Sequence, residues 1–142
     1  MANPLDFLDA WVHGKVDPPP VAKLLGIQLI ACASGTAHME MAAGRQHHNP
    51  MGIVHGGVLC DLADAAMGVA VATTLEPGQT FSTTDLHISY LRSVEEAPLT
   101  AVAKVVHRGR SIAYVECEIA DENSALIAKA ASTGLIRMQP AA

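Results

Sequence analysis

Positive charge is scarce in this chain. Nine Lys and Arg stand against fourteen Asp and Glu, for a formal net charge of −5, which argues against a general nucleic-acid binder. Cysteine is scarce as well. Cys32, Cys60 and Cys117 are odd in number, widely separated and without paired metal-type spacing, so they read as small core residues in a reducing compartment. The start, MANPLDFLDAWVHG, places Asp6 and Asp9 where a secretory signal would need a basic start and an apolar core. A cytoplasmic location is the expectation. No apolar run reaches membrane-spanning character without Asp61 and Asp64 interrupting it, so no membrane partner is expected. There is no Gly-x-Ser-x-Gly elbow, and neither Cys60 nor Cys117 has an adjacent base. His47, His48 and His55 share one loop without a suitably spaced acid, so no metal site is expected. Internal repeats and low-complexity segments are absent too.

What remains is 142 residues, half of them hydrophobic, which is enough for one domain with a real core. The domain is expected to run over 1–142, with a helix and a Pro-rich linker in 1–20. The chain is organised around the stretch from Asn49 to Leu75. It opens with turn residues, passes through His55-Gly56-Gly57, and continues as an Ala-, Leu-, Val- and Met-rich run with Gly68 its one later glycine. Length and Ala content predict a helix over 58–75. Its hydrophobic residues lie on every side, so burial on most faces is expected. Asp61 and Asp64 are then costly unless they meet a partner, water or a substrate.

The rest reads as a wrapper. Residues 4–13 suit an amphipathic helix with Leu5, Leu8, Trp11 and Val12 on one side, ended by Asp17 and the run Pro18–Pro20. Val21–Leu25 suits one more helical turn. From Ile27 a hairpin follows: GIQLIACAS, a Ser34-Gly35 turn, then the alternating TAHMEMAA. After the helix, Glu76-Pro77-Gly78-Gln79 is a strong stop. Four strand candidates come next: FSTTDLHISYLR, PLTAVAKVVHRG, RSIAYVECEIAD and ALIAKAASTGLIRM. This order is α+β, one antiparallel sheet wrapped around a single long helix. Disorder is expected only in the first few residues and the final Gln-Pro-Ala-Ala.

The chemistry gathers at the helix entrance. The first amides of a helix lack intrahelical acceptors and lie at the positive end of its dipole. With no side chain at Gly56 or Gly57, a ligand oxygen can approach them, as acyl transfer would require. A bare Gly-Gly is by itself better explained by a tight loop-to-helix turn. Asn49 alone suits a turn before Pro50, and His55 alone suits a hydrogen bond within the loop. Asp64 lies eight residues beyond Gly56, about 12 Å along a helix axis. If the two groups act together, a two-fold dimer with antiparallel helices and shared sites is favoured. Asp61 lies on an overlapping face, and composition does not separate it from Asp64. Arg92, Lys104, Arg108 and Arg110 make a local cationic bias that suits either a phosphorylated ligand or a solvated strand rim.

Asn-Pro-x-Gly-x-x-His-Gly-Gly, the following Leu-Ala-Asp and the later Thr-Thr-Asp-Leu-His-Ile-Ser-Tyr-Leu-Arg together resemble the hotdog-fold acyl-CoA thioesterases of the phenylacetic-acid-degradation (PaaI-like) type. The likeness runs from about Gly26 to Met138. It implies that the Gly56 amide polarises a thioester carbonyl while His55 orders the loop. It implies that Asp64, supplied by the facing subunit, is nucleophile or general base on water. Asn49 would orient substrate or water, and Thr83 would assist that water. Asp61, off the matching position, ranks second. CoA would be part of the substrate and not a cofactor, with Gly57, Arg92 and the Arg108-Gly109-Arg110-Ser111 turn as its binding candidates. Shared sites imply a homodimer, which the family commonly doubles to a homotetramer. The resemblance implies hydrolysis of a small or medium, possibly aromatic, acyl-CoA. A non-catalytic acyl-CoA-binding hotdog domain is the alternative. A hotdog dehydratase or hydratase is weaker, since no strand-borne His is obviously placed with the helix acid.

Overall fold

Proline and glycine punctuate the first quarter of the chain in the computed structural model, which describes residues 4–140. Pro18–Pro20 separate two short helices, α1 (Pro4–Val12) and α2 (Pro20–Leu25). Gly26, at φ 80°, ends α2 in the left-handed conformation that glycine adopts freely. On α1 only Leu8 is buried; Trp11 and Val12 pack partly against the core, whereas Leu5 stays at the surface. The strands β1 (Ile27–Ala33) and β2 (Thr36–Ala43) form the expected hairpin across Gly35 at φ 76°. A short 3-10 turn at Arg45–His47 precedes α3 (Gly56–Ala72). Then come β3 (Gln79–Tyr90), β4 (Ala97–Arg108), β5 (Ile112–Ala120) and β6 (Leu126–Met138).

All six strands make one antiparallel sheet in the order β1-β2-β4-β5-β6-β3. Its inner face closes on α3. Alternation along β2 sends Ala37, Met39, Met41 and Ala43 inward, and β4 and β5 do the same with Leu99, Ala101, Ala103, Ala113, Val115, Cys117 and Ile119. Ala63, Ala66 and Ala70 of α3 are fully buried, and their small size brings the helix close to the strands; Leu62 and Met67 fill the space between.

Two expectations need correction. The helix is shifted, running from Gly56 to Ala72 rather than over 58–75. It stops early because the hydroxyls of Thr73 and Thr74 bond back to the Ala70 and Val71 carbonyls at 2.7 Å, and Gly35 N–H donates to Thr73 Oγ1 at 2.8 Å. It is buried on most faces, as expected, except along one stripe. Gly57, Asp61 and Asp64 line an exposed stripe of one chain, since residues four and seven apart share a helix face. The second correction is that β3 begins and ends two residues earlier than expected, so Arg92 lies in the turn beyond it. There the amides of Leu91 and Arg92 donate to Ile127 O at 2.9 and 3.2 Å. The ends expected to be loose lie mostly outside the described residues, although Gln139 N–H still bonds to Gly78 O at 2.7 Å.

Leu62 has no solvent exposure at the centre of this packing. Leu62→Ala should cost about 2–5 kcal/mol of unfolding free energy, read from urea denaturation.

Candidate active site

The head of α3 is built from a loop whose polar groups are mostly spent on itself. Asn49 Oδ1 accepts from the Met51 and Ile53 amides at 2.9 and 3.4 Å, the turn role its place before Pro50 suggested. That leaves the side-chain NH2 of Asn49 without an acceptor among the described residues. His48 and Val54 form an isolated antiparallel bridge, and His55 N–H donates to His47 O at 2.8 Å. Val54 N–H donates to Val94 O at 2.8 Å, which ties the loop to the segment after β3.

His55 is the N-cap of α3. Its Nδ1 accepts from the Gly57 N–H at 2.8 Å, so its own proton is on Nε2. Its carbonyl accepts from the Val58 and Leu59 amides at 2.9 and 3.4 Å. Gly57 therefore has no free donor. The Gly56 N–H, by contrast, has no acceptor among the described residues. Between two satisfied neighbours it is the open donor at the positive end of the helix.

Gly56 borders a groove of about 360 Å³ that also takes in Asn49, Ile53, Val54, Leu59 and Tyr90–Val94. The sequence-predicted Asn49, Gly56 and Arg92 thus meet in one place. Tyr90 is an addition: its hydroxyl donates to Gly56 O at 2.8 Å. It falls within the Thr83–Arg92 segment, yet 34 residues separate it from Gly56 and no sequence pattern couples them.

The other candidates stand apart within one chain. Asp64 is two helical turns along α3, with no hydrogen-bond partner among the described residues. Burial among its neighbours raises its carboxyl above the ordinary aspartate value, and the like charge of Asp61 raises it further. This desolvation coexists with a carboxylate still exposed along the open stripe, where water screens it. Thr83 is exposed on β3, opposite Gly134 of β6. The Arg108–Ser111 turn lies at the opposite end of α3. Arg108 is occupied there: its guanidinium donates to Thr74 Oγ1 at 3.1 Å, to Thr74 O at 3.3 Å, to Gln79 Oε1 at 2.8 Å and to the Gly109 carbonyl. Gly109 N–H closes the turn on Ile112 O at 2.8 Å, and Arg110 and Ser111 are exposed. Among the described residues no group of three or more His, Cys, Asp or Glu could hold a metal ion. Among the described residues no helix is long and apolar enough to cross a membrane.

An open amide at a helix head, an apolar groove and a desolvated carboxylate are the parts of an acyl-transfer site without a serine or cysteine nucleophile. Residues 51–128, more than half of the chain, match the thioesterase superfamily. The chain belongs to that family. It is a thioester hydrolase with the α+β hotdog fold, the sheet wrapped around α3. It is 29% identical over 103 residues to a 1,4-dihydroxy-2-naphthoyl-CoA hydrolase of Listeria monocytogenes, a match covering 72% of this chain and 84% of that one. Its fold superposes on the PaaI protein of the phenylacetic acid degradation operon of E. coli with a TM-score of 0.80 and 27% identity, covering 90% of this chain and 91% of the other. A phenylacetic acid degradation-related protein of Ralstonia eutropha JMP134 gives a TM-score of 0.82 at 30% identity, covering 91% and 98%. The PaaI-like resemblance is thereby shown.

The raised carboxyl of this thioesterase carries a stability signature. Because folding raises the Asp64 pKa, the folded state favours the protonated form. Stability from this group is fully present below the ordinary aspartate pKa and is lost as pH rises through the folded value. Asp64→Asn should therefore be more stable than the parent at neutral pH, and the two should converge in acid, as denaturant midpoints across pH would reveal. In Asp61→Asn the Asp64 carboxyl should titrate at lower pH than in the parent, observed by carboxyl NMR.

Proposed function

We propose that this thioesterase hydrolyses a small or medium acyl-CoA, aromatic in its acyl group, to the free acid and CoA. The observation that carries this reading is the Gly56 N–H, left open at the head of α3 where Gly56 borders a groove shared with Asn49 and Arg92. The aromatic acyl group is supported by relatives named for a naphthoyl-CoA and for phenylacetic acid degradation. In the reaction the thioester oxygen accepts from Gly56 N–H, which stabilises the charge that develops as the carbonyl carbon becomes tetrahedral. His55 keeps the loop in register by holding Gly57. Asn49 orients the substrate or the attacking water with its free NH2, and Thr83, supplied like the acid by the facing copy, assists that water.

The carboxylate comes from a second copy. Asp64 lies too far along α3 from its own Gly56, whereas antiparallel α3 helices would set the partner's Asp64 beside it. Two features support such a dimer. The stripe of Gly57, Asp61 and Asp64 is uncovered in one chain, and β3 is a 12-residue edge strand with one side unpaired among the described residues. A long open edge is an invitation to pair. The same arrangement would bring the partner's Arg108–Ser111 turn towards this chain's groove. Arg110, exposed and without a partner among the described residues, is then the cation for the CoA phosphates together with Arg92. Arg108 shapes the turn that presents it. Two such dimers would make a tetramer. Neither a cofactor nor a metal is needed, since a thioester is activated enough for carboxylate attack or base-assisted water.

Thiol release from a panel of acyl-CoAs tests this function. Asp64→Asn should lower turnover roughly 100-fold or more while leaving substrate binding largely intact. Asp61→Asn should cost far less. A dead Asp61 variant beside a competent Asp64 variant would move the site by one turn of helix, and hydration of an enoyl-CoA without thiol release would make the protein a hydratase. Light scattering should give a dimer or tetramer; an active monomer would sink the shared site.

A further inference from the structure

We propose that Tyr90 is a positioning residue for thioester hydrolysis, anchoring Gly56 by its carbonyl, on the far side of the Cα from its free N–H, so that this N–H is held at the oxyanion position. The inference rests on the reading of that N–H as the oxyanion donor. Two contacts carry it. The Tyr90 hydroxyl donates to Gly56 O at 2.8 Å, and the Tyr90 ring fills the space that a side chain at Gly56 would take. A Cβ added at Gly56 would meet Tyr90 Cζ at 2.9 Å, closer than real Cβ atoms come, and the hydroxyl oxygen at a tight 3.1 Å. A Cβ at Gly57 would instead meet only the His55 ring, with Nδ1 at 2.9 Å.

The two glycines therefore answer to two different rings. Gly57 is shaped to His55, which consumes its donor. Gly56 is shaped to Tyr90, which bonds its carbonyl and leaves its donor open. Glycine is the residue with the widest choice of backbone conformation, so an open N–H on glycine needs an outside restraint to stay aimed. An oxyanion donor is effective only within a few tenths of an ångström of its working distance. Tyr90 ends β3, and through it the sheet sets the direction of the first amide of the helix. The same ring walls the groove beside Leu59 and Arg92.

Tyr90→Phe removes the hydroxyl and keeps the ring. Its kcat should fall roughly 3- to 10-fold, the worth of one hydrogen bond, with KM unchanged. Tyr114→Phe, on the exposed face of β5, should match the parent. The decisive readout is the Gly56 amide resonance on addition of a CoA thioether bearing a ketone in place of the thioester. It should move downfield in the parent and much less in Tyr90→Phe. No movement in the parent would overturn the oxyanion reading and the Tyr90 proposal with it. Equal movement in parent and Tyr90→Phe would overturn the proposal alone. Should Tyr90→Phe fold poorly, the steric half remains testable: Gly56→Ala should lower the melting temperature more in the parent than in a Tyr90→Ala background. Equal losses in both would overturn the fit between ring and glycine.

Discussion

The His55 ring accepts the hydrogen bond of the Gly57 N–H, and this one hydrogen bond decides which donor at the head of α3 is left over. Only a neutral imidazole protonated on Nε2 can do this. The cap would be idle without a rigid approach, and the loop supplies one. His55 N–H is held by His47 O, Val54 N–H by Val94 O, and His48 Nε2 by Glu95 O at 2.8 Å. These bonds stitch the loop before α3 to the segment after β3. The groove between them therefore has both walls set by backbone, with Arg92 in one wall and Asn49 in the other.

A second constraint comes from covering a helix with one sheet. Six strands curl around α3 yet leave a stripe of it open. The residues there are ones a buried helix would reject, with Asp64 already held above its ordinary value by desolvation and by Asp61. Enclosing that stripe against a second copy would desolvate both acids further. The charge is retained at the expense of stability, a trade common at functional sites.

How much of this could be read without a structure depends on the range of each contact. The strands, the hairpin at Gly35 and the central helix follow from period and turn chemistry within a dozen residues. They came out in the right order, with boundaries shifted by about two residues, as is usual for reading by pattern. The end of α3 was missed because Thr73, Thr74 and Arg108 end it through side chains reaching across the fold. Asn49, Gly56 and Arg92 were legible as candidates because the first two share one motif and the third ends another. Their meeting was not, since β3 has to return along α3 to bring Arg92 back. Arg108 shows the converse. Its charge and its place in an Arg-Gly-Arg turn suggest a phosphate anchor, but its donors are spent on Thr74 and Gln79, whose proximity no local pattern records.

Gly56-Gly57 admits two readings from sequence, a tight turn or an open anion site, and they look like rivals. In the fold they are one arrangement. Each glycine lacks a side chain because a ring occupies that volume, which is the packing reason. The His55 ring removes a donor and the Tyr90 ring bonds a carbonyl, so the same packing leaves one amide unspent and restrained. An open donor on a flexible loop would lose much of its value to disorder. Two aromatic side chains, one from the loop and one from the sheet, make it a fixed part of the scaffold, and a pair of glycines is what lets both rings come close enough to do so.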